Sequence, residues 1–183
     1  FSNLSDVITQ PYDKITEEMQ EEYYKKQYNY VRLILNRESH ASAAKTLREW
    51  IDKGILKKDE VDYIYPLEQE FQYKGKTFVR RGFFAIFKLD ENDVVKHEKT
   101  LSKPKEDRLK LLRETECDLE PIFLLYDKDV KVSYEEKIAE GTEAGVKNSL
   151  YRISGEDVER IRNALLHEKV LIADGHHRYE VAL

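Results

Sequence analysis

The sequence predicts an α+β fold, a mixed β-sheet with helices covering it. Strand-like and helix-like segments are interspersed along the chain rather than grouped. Two strand-like runs flank the turn Lys74-Gly75-Lys76, which marks a β-hairpin. A late strand-like run passes through Asp174-Gly175 straight into a helix.

Thr16 to Gln27 reads as the first helix. Thr16 caps it, Glu17 and Glu18 suit the positive end of its dipole, and Met19 and Tyr23 give a modest apolar face. Tyr30 to Leu35 is rich in β-formers and reads as a buried strand. Ser39 or Ser42 opens the next helix. There Ala43, Ala44, Leu47, Trp50 and Ile51 recur at helical spacing, and Gly54 closes it. Tyr63 to Tyr73 and Thr77 to Leu89 are the hairpin strands. Asp90 to Asp93 is a turn and Val94 to Lys96 starts another strand.

Ser102 caps a charged helix over Pro104 to Thr115, with Leu109 and Leu112 inward. Pro121 to Tyr126 is a short strand. Asp127 to Asn148 is polar and reads as irregular and mobile, with a short helix around Tyr134 to Ala139. Ser149 to Ile153 is a strand. Ser154-Gly-Glu-Asp157 resembles a capping box for a helix that places Val158, Ile161 and Leu165 on one face. Lys169 to Ala173 is the strand before the Asp174-Gly175 turn.

Composition bounds the function. The 183 residues are 40% hydrophobic and 37% charged, and the 12 Tyr and 7 Phe exceed what a disordered chain carries. A net charge of -5 argues against binding nucleic acid by bulk electrostatics. The single Cys117 excludes an internal disulfide and a Cys-rich zinc site, and reads as a buried or idle thiol. His40 and His167 stand alone, so no metal site is expected from them. No apolar run approaches a membrane span, and Phe1 to Asp13 has neither the basic start nor the apolar block of a signal peptide. A cytoplasmic protein without a membrane partner is expected. One α+β domain spanning 1–183 is expected too, as a fragment of a longer chain, because the final helix stops within about two turns.

The densest chemistry is Asp174-Gly175-His176-His177-Arg178. A strand that enters a helix through Gly presents free backbone N–H groups, which attract phosphate. Gly175 permits close approach, and Arg178 can grip phosphate oxygens in two parallel bonds. His176 and His177 can donate to the same oxygens or move a proton. Asp174 can orient a histidine, act as a base or help bind Mg²⁺. His97-Glu98-Lys99-Thr100 is the second candidate: Glu98 as a general base, Thr100 as a phosphate ligand or cap. Pro11-Tyr12-Asp13 is the third. Lys103-Pro-Lys105 and Lys25-Lys26 read as short solvated basic runs.

Several of these segments form a recognisable series. Gln10-Pro11-Tyr12-Asp13, Tyr28 to Ile34, Arg80-Arg81-Gly82-Phe83, His97 to Thr100, Lys105 to Leu109, Pro121-Ile122-Phe123 and Ile172 to Glu180 occur in that order. The chain resembles the DUF1015 family over nearly its whole length. Members of that family are often labelled ParB-like and are about twice as long. The resemblance implies a ParB/sulfiredoxin-like fold with an added β-hairpin region, related to the ParB nucleotide domain, sulfiredoxin and free-serine kinases. By motif, Gly175, His176, His177 and Arg178 would hold nucleotide phosphates, and Asp174 resembles the acidic residue that opens the kinase motif. Glu98 is the first candidate for the kinases' other carboxylate and Asp13 the second. Where sulfiredoxin needs a cysteine this chain has His176, which argues against sulfinic-acid repair. Glu120 stands where the family commonly has Ser.

The expected function is therefore nucleotide binding, with phosphoryl transfer to a small hydroxyl-bearing acceptor. The expected cofactor is ATP, ADP or CTP with Mg²⁺, and Glu98, Asp174 and His177 are the candidate catalytic residues. The alternative is a ParB-like nucleotide switch that acts on a protein or DNA partner. Nucleic-acid binding by this stretch itself is not expected.

Overall fold

The computed structural model describes residues 3–183; the signal-peptide reading of Phe1 to Asp13 begins at Phe1, outside them. The helices in chain order are α1 (Glu17–Tyr24), α2 (Val31–Ile34), α3 (His40–Asp52), α4 (Ser102–Thr115), α5 (Glu156–Leu165) and α6 (His176–Ala182). The strands are β1 (Tyr65–Tyr73), β2 (Lys76–Phe84), β3 (Val94–Val95), β4 (Phe123–Tyr126), β5 (Lys137–Glu143), β6 (Val146–Tyr151) and β7 (Val170–Asp174). The α+β class holds. No helix among the described residues is long and apolar enough to cross a membrane.

The described chain divides into two compact units. The first comprises residues up to Arg32, Lys58–Ala85 and Lys131–Arg160. Its sheet is antiparallel, in the order β2-β1-β6-β5. Both hairpins turn on two residues of positive φ, Lys74 (48°) with Gly75 (73°) and Ala144 (48°) with Gly145 (76°). Paired left-handed residues match the twist of the flanking strands, so these short loops set the register. The second hairpin corrects the reading of Asp127 to Asn148. No helix forms around Tyr134 to Ala139, and β5 begins at Lys137. Gly141 explains why strand-like patterning is weak there. A Cβ on it would lie 2.7 Å from the Ser5 backbone N and 2.8 Å from the Leu4 carbonyl carbon. The N-terminal segment crosses at that point, with Leu4 N–H donating to Glu140 O at 2.6 Å.

Thr16 caps α1 as expected, accepting from Met19 N–H at 3.3 Å. The expected strand over Tyr30 to Leu35 is instead the short helix α2. Asn29 redirects the chain: its side chain accepts from Val31 N–H at 3.1 Å and donates to the carbonyls of Asp6 and Ile8 at 3.1 and 2.8 Å. A side chain that bonds the backbone two residues on starts a turn and not a strand. Val31, Leu33 and Ile34 are buried as an apolar run should be, with only the backbone conformation changed.

The second unit comprises Leu33–Lys57, Ile86–Val130 and Ile161–Leu183. Its sheet has the order β3-β7-β4, with β3 parallel and β4 antiparallel to β7. Val94, Val170, Ile172 and Tyr179 form its buried centre, with Leu89, Ile122, Leu124 and Tyr126 packed on it. Ser39 caps α3, accepting from Ser42 N–H at 3.0 Å. Ala43, Ala44, Leu47 and Trp50 face inward, whereas Ile51 is exposed. On α4 the buried residues are Arg108 and Leu111; Leu109 and Leu112 are half-buried. That helix packs against α3 and α6. The α4 face therefore lies one residue from its expected position, because a charged side chain occupies its centre.

Candidate functional site

β7 delivers Asp174 to the sheet end, and Gly175 (φ 94°) turns the chain into α6. A Cβ at Gly175 would lie 2.9 Å from both Nε and Nη2 of Arg178. Glycine suits the turn because L side chains rarely adopt this φ, and the Arg178 side chain folds back over it. Its Nη2 donates to Asp174 Oδ2 at 2.5 Å and its Nη1 lies 3.8 Å from Glu120 Oε1. Arg178 was expected to project outward toward an anion. It is only 14% exposed, held between two carboxylates.

Behind it the charges continue. Arg108 donates to Glu120 Oε2 at 3.2 Å, to the Ile34 carbonyl at 2.9 Å and to Asp107 Oδ2 at 2.5 Å. Asp107 Oδ1 then lies 3.0 Å from His40 Nε2, so His40 does not stand alone. Burial works to raise the Asp107 carboxyl, but the Arg108 guanidinium and His40 outweigh it and hold it below its ordinary value. The cavity beside Arg108, Glu120 and Arg178 measures about 30 Å³, room for water and not for a nucleotide. Cys117 at its edge is exposed, which removes the first alternative of the buried or idle thiol expected.

The loop after β3 meets the turn. His176 is 3% exposed, its Nδ1 lies 3.6 Å from Glu98 Oε2, and its ring stands edge-on to His97 at 4.6 Å between centroids. Its Nε2 is buried without a hydrogen-bond partner among the described residues. His177 Nε2 accepts from Leu101 N–H at 3.0 Å, which puts the proton of the neutral ring on Nδ1. His177 is thus set to donate from Nδ1, with its accepting nitrogen already engaged. Thr100 donates its hydroxyl to Glu180, which also takes Lys105 Nζ at 3.0 Å and lies 4.0 Å from Lys96 Nζ. The Thr100 hydrogen bond, then Lys105, holds the Glu180 carboxyl below its ordinary value.

Glu98, Thr100, Asp174, Gly175, His176, His177 and Arg178 thus lie within one unit, in which Glu98 approaches His176, Thr100 bonds Glu180, His177 bonds Leu101 and Arg178 bonds Asp174. Asp13 lies in the first unit, exposed on a one-turn helix at Tyr12–Lys14. Sequence reasoning missed the structural partners Arg108, Glu120, Lys105 and Glu180. Three of them fall inside segments that carry the family resemblance, and Glu120 was visible as a departure from it. Lys105 is not simply solvated, since its ammonium is bound to Glu180. Among the described residues no group of three or more His, Cys, Asp or Glu could hold a metal ion.

The fold and site define an α+β protein with a polar strand–turn–helix site backed by an ion-pair chain. It belongs to the DUF1015 family, described as "Protein of unknown function (DUF1015)", which matches residues 2–183. No curated protein and no solved structure matches the chain.

Proposed function

We propose that the second unit binds a nucleotide through its phosphates at the surface made by 96–101 and 174–178, and transfers a phosphoryl group to a small hydroxyl-bearing acceptor. In this reading the unit is a ParB/sulfiredoxin-like domain and the chemistry is that of the free-serine kinases. The observation that carries it is the approach of Glu98 to His176 at 3.6 Å. It joins two polar motifs far apart in sequence. The segment Lys96 to Lys105 supports an anionic ligand, with four lysines and one glutamate in an acidic protein.

In the transfer step the acceptor oxygen attacks the terminal phosphorus as its hydroxyl proton passes to Glu98. The bond from that phosphorus to the bridging oxygen breaks, and the nucleotide leaves one phosphate shorter. His177 Nδ1–H and the neighbouring ammonium groups offset charge on the phosphoryl oxygens. Asp174, 57% exposed, is the carboxylate that would help hold Mg²⁺ beside the phosphates. The metal would supply charge neutralisation there.

A second reading is a ParB-like nucleotide switch without small-molecule catalysis. The ion pairs that hold Arg178 favour it, because they keep that guanidinium from a transferring phosphoryl group. Calorimetry with ATP, ADP and CTP plus Mg²⁺, followed by phosphorus NMR with hydroxy acids and hydroxy amino acids, separates the two. Glu98→Gln should retain nucleotide binding and lose transfer by about a hundredfold or more. Binding without transfer to any acceptor supports the switch. Absence of binding to all three nucleotides overturns both.

A further inference from the structure

The Glu180 carboxylate is held by more positive charge than a single ion pair needs. It accepts the Thr100 hydroxyl and Lys105 Nζ at 3.0 Å, and Lys96 Nζ stands 4.0 Å away over the Tyr179 ring. The two lysine side chains are each 36% exposed, so solvent reaches both ammonium groups. Glu180 itself is 23% exposed and fixed on α6. Two ammonium groups thus share one carboxylate. They reach it from different elements: Lys96 follows β3, and Lys105 lies in the first turns of α4.

We propose that Lys96 and Lys105 grip an oligophosphate chain, and that Glu180 is the internal counter-ion occupying their donors when no ligand is bound. The proposal rests on the reading of a phosphate-bearing ligand above and names the groups that hold its chain. Because both ammonium groups lie within 4.0 Å of one carboxylate, linked phosphate groups can touch both. The adjoining loop carries Lys99, the first turn of α4 carries Lys103, and His177 offers Nδ1–H one turn before Glu180 on α6. A single phosphate would exchange with Glu180 at one ammonium. A chain of phosphates engages both without displacing the Thr100 hydroxyl.

The test titrates sodium tripolyphosphate, and separately orthophosphate, into the full chain at constant ionic strength, with a melting curve for every variant. Tripolyphosphate should bind more tightly than orthophosphate. Lys105→Ala should weaken it about tenfold, as loss of a charge-assisted contact does. Glu180→Gln keeps an acceptor for Thr100 but removes the competing charge, and should tighten binding about threefold. Lys96→Ala and Lys105→Ala variants that stay folded and bind as tightly as the parent overturn the proposal. So does a Glu180→Gln variant that binds no more tightly. Should the parent bind tripolyphosphate with this lysine dependence yet never transfer phosphate from a nucleotide, the cradle stands and phosphoryl transfer falls. Nucleotide binding and transfer that ignore both lysines leave the proposed function standing and remove the cradle.

Discussion

Arg178 lies between Asp174 and Glu120, and the Glu120 side chain is 9% exposed. Removing the guanidinium leaves Glu120 with less compensation in a site that water barely reaches. Arg178→Ala should therefore lower stability by about 1–2 kcal/mol in urea melts, more than a surface substitution does. The motif made Arg178 legible as a special residue. Its direction was not legible, because that depends on Glu120, far away in sequence. Glu180 gives a pH signature. Its folded-state carboxyl lies below the ordinary 4.5, so the clamp is fully stabilising above that value and fades as pH falls through the depressed one. Glu180→Gln should melt below the parent at neutral pH. The two curves should converge as the pH drops below 4.5, as melting temperatures across pH 3–7 would report.

Elements were legible where local chemistry decides them. The Thr16 and Ser39 caps follow from residue type at a helix start, and Ser39→Ala should cost about 1 kcal/mol of stability. The Lys74-Gly75 hairpin follows from its turn. Elements decided by distant partners were not legible. α2 is a helix because Asn29 bonds to Asp6 and Ile8, and β5 is a strand whose Gly141 yields to a crossing segment. Gly141→Ala forces a side chain into that backbone. It should destabilise the chain by about 1 kcal/mol or more. Hydrogen exchange should quicken at Leu4 N–H and Thr142 N–H, which bond across the contact. Unchanged exchange at both amides would show that the segment lies elsewhere.

At the scale of the whole molecule, a chain of net charge -5 gathers four lysines in the ten residues that follow β3, and Lys96, Leu101 and Lys105 of that segment contact α6. Screening weakens such exposed charge, so phosphate affinity should fall steadily as salt rises. Family membership was legible from the order of short motifs, since a fixed series of turns and loop ends identifies a fold that scattered apolar residues do not. The nucleotide base and the acceptor of the proposed reaction were not, because the motifs offer groups that suit phosphates alone. Backbone amide and imidazole NMR spectra of the full chain, followed through a titration with Mg²⁺ and ATP, test the central claim most directly. The account predicts that the largest shifts fall on 96–101 and 174–178, with the Leu101 amide and the His176 and His177 rings foremost. Saturating nucleotide that leaves those signals in place, or moves only signals of the first unit, would contradict it.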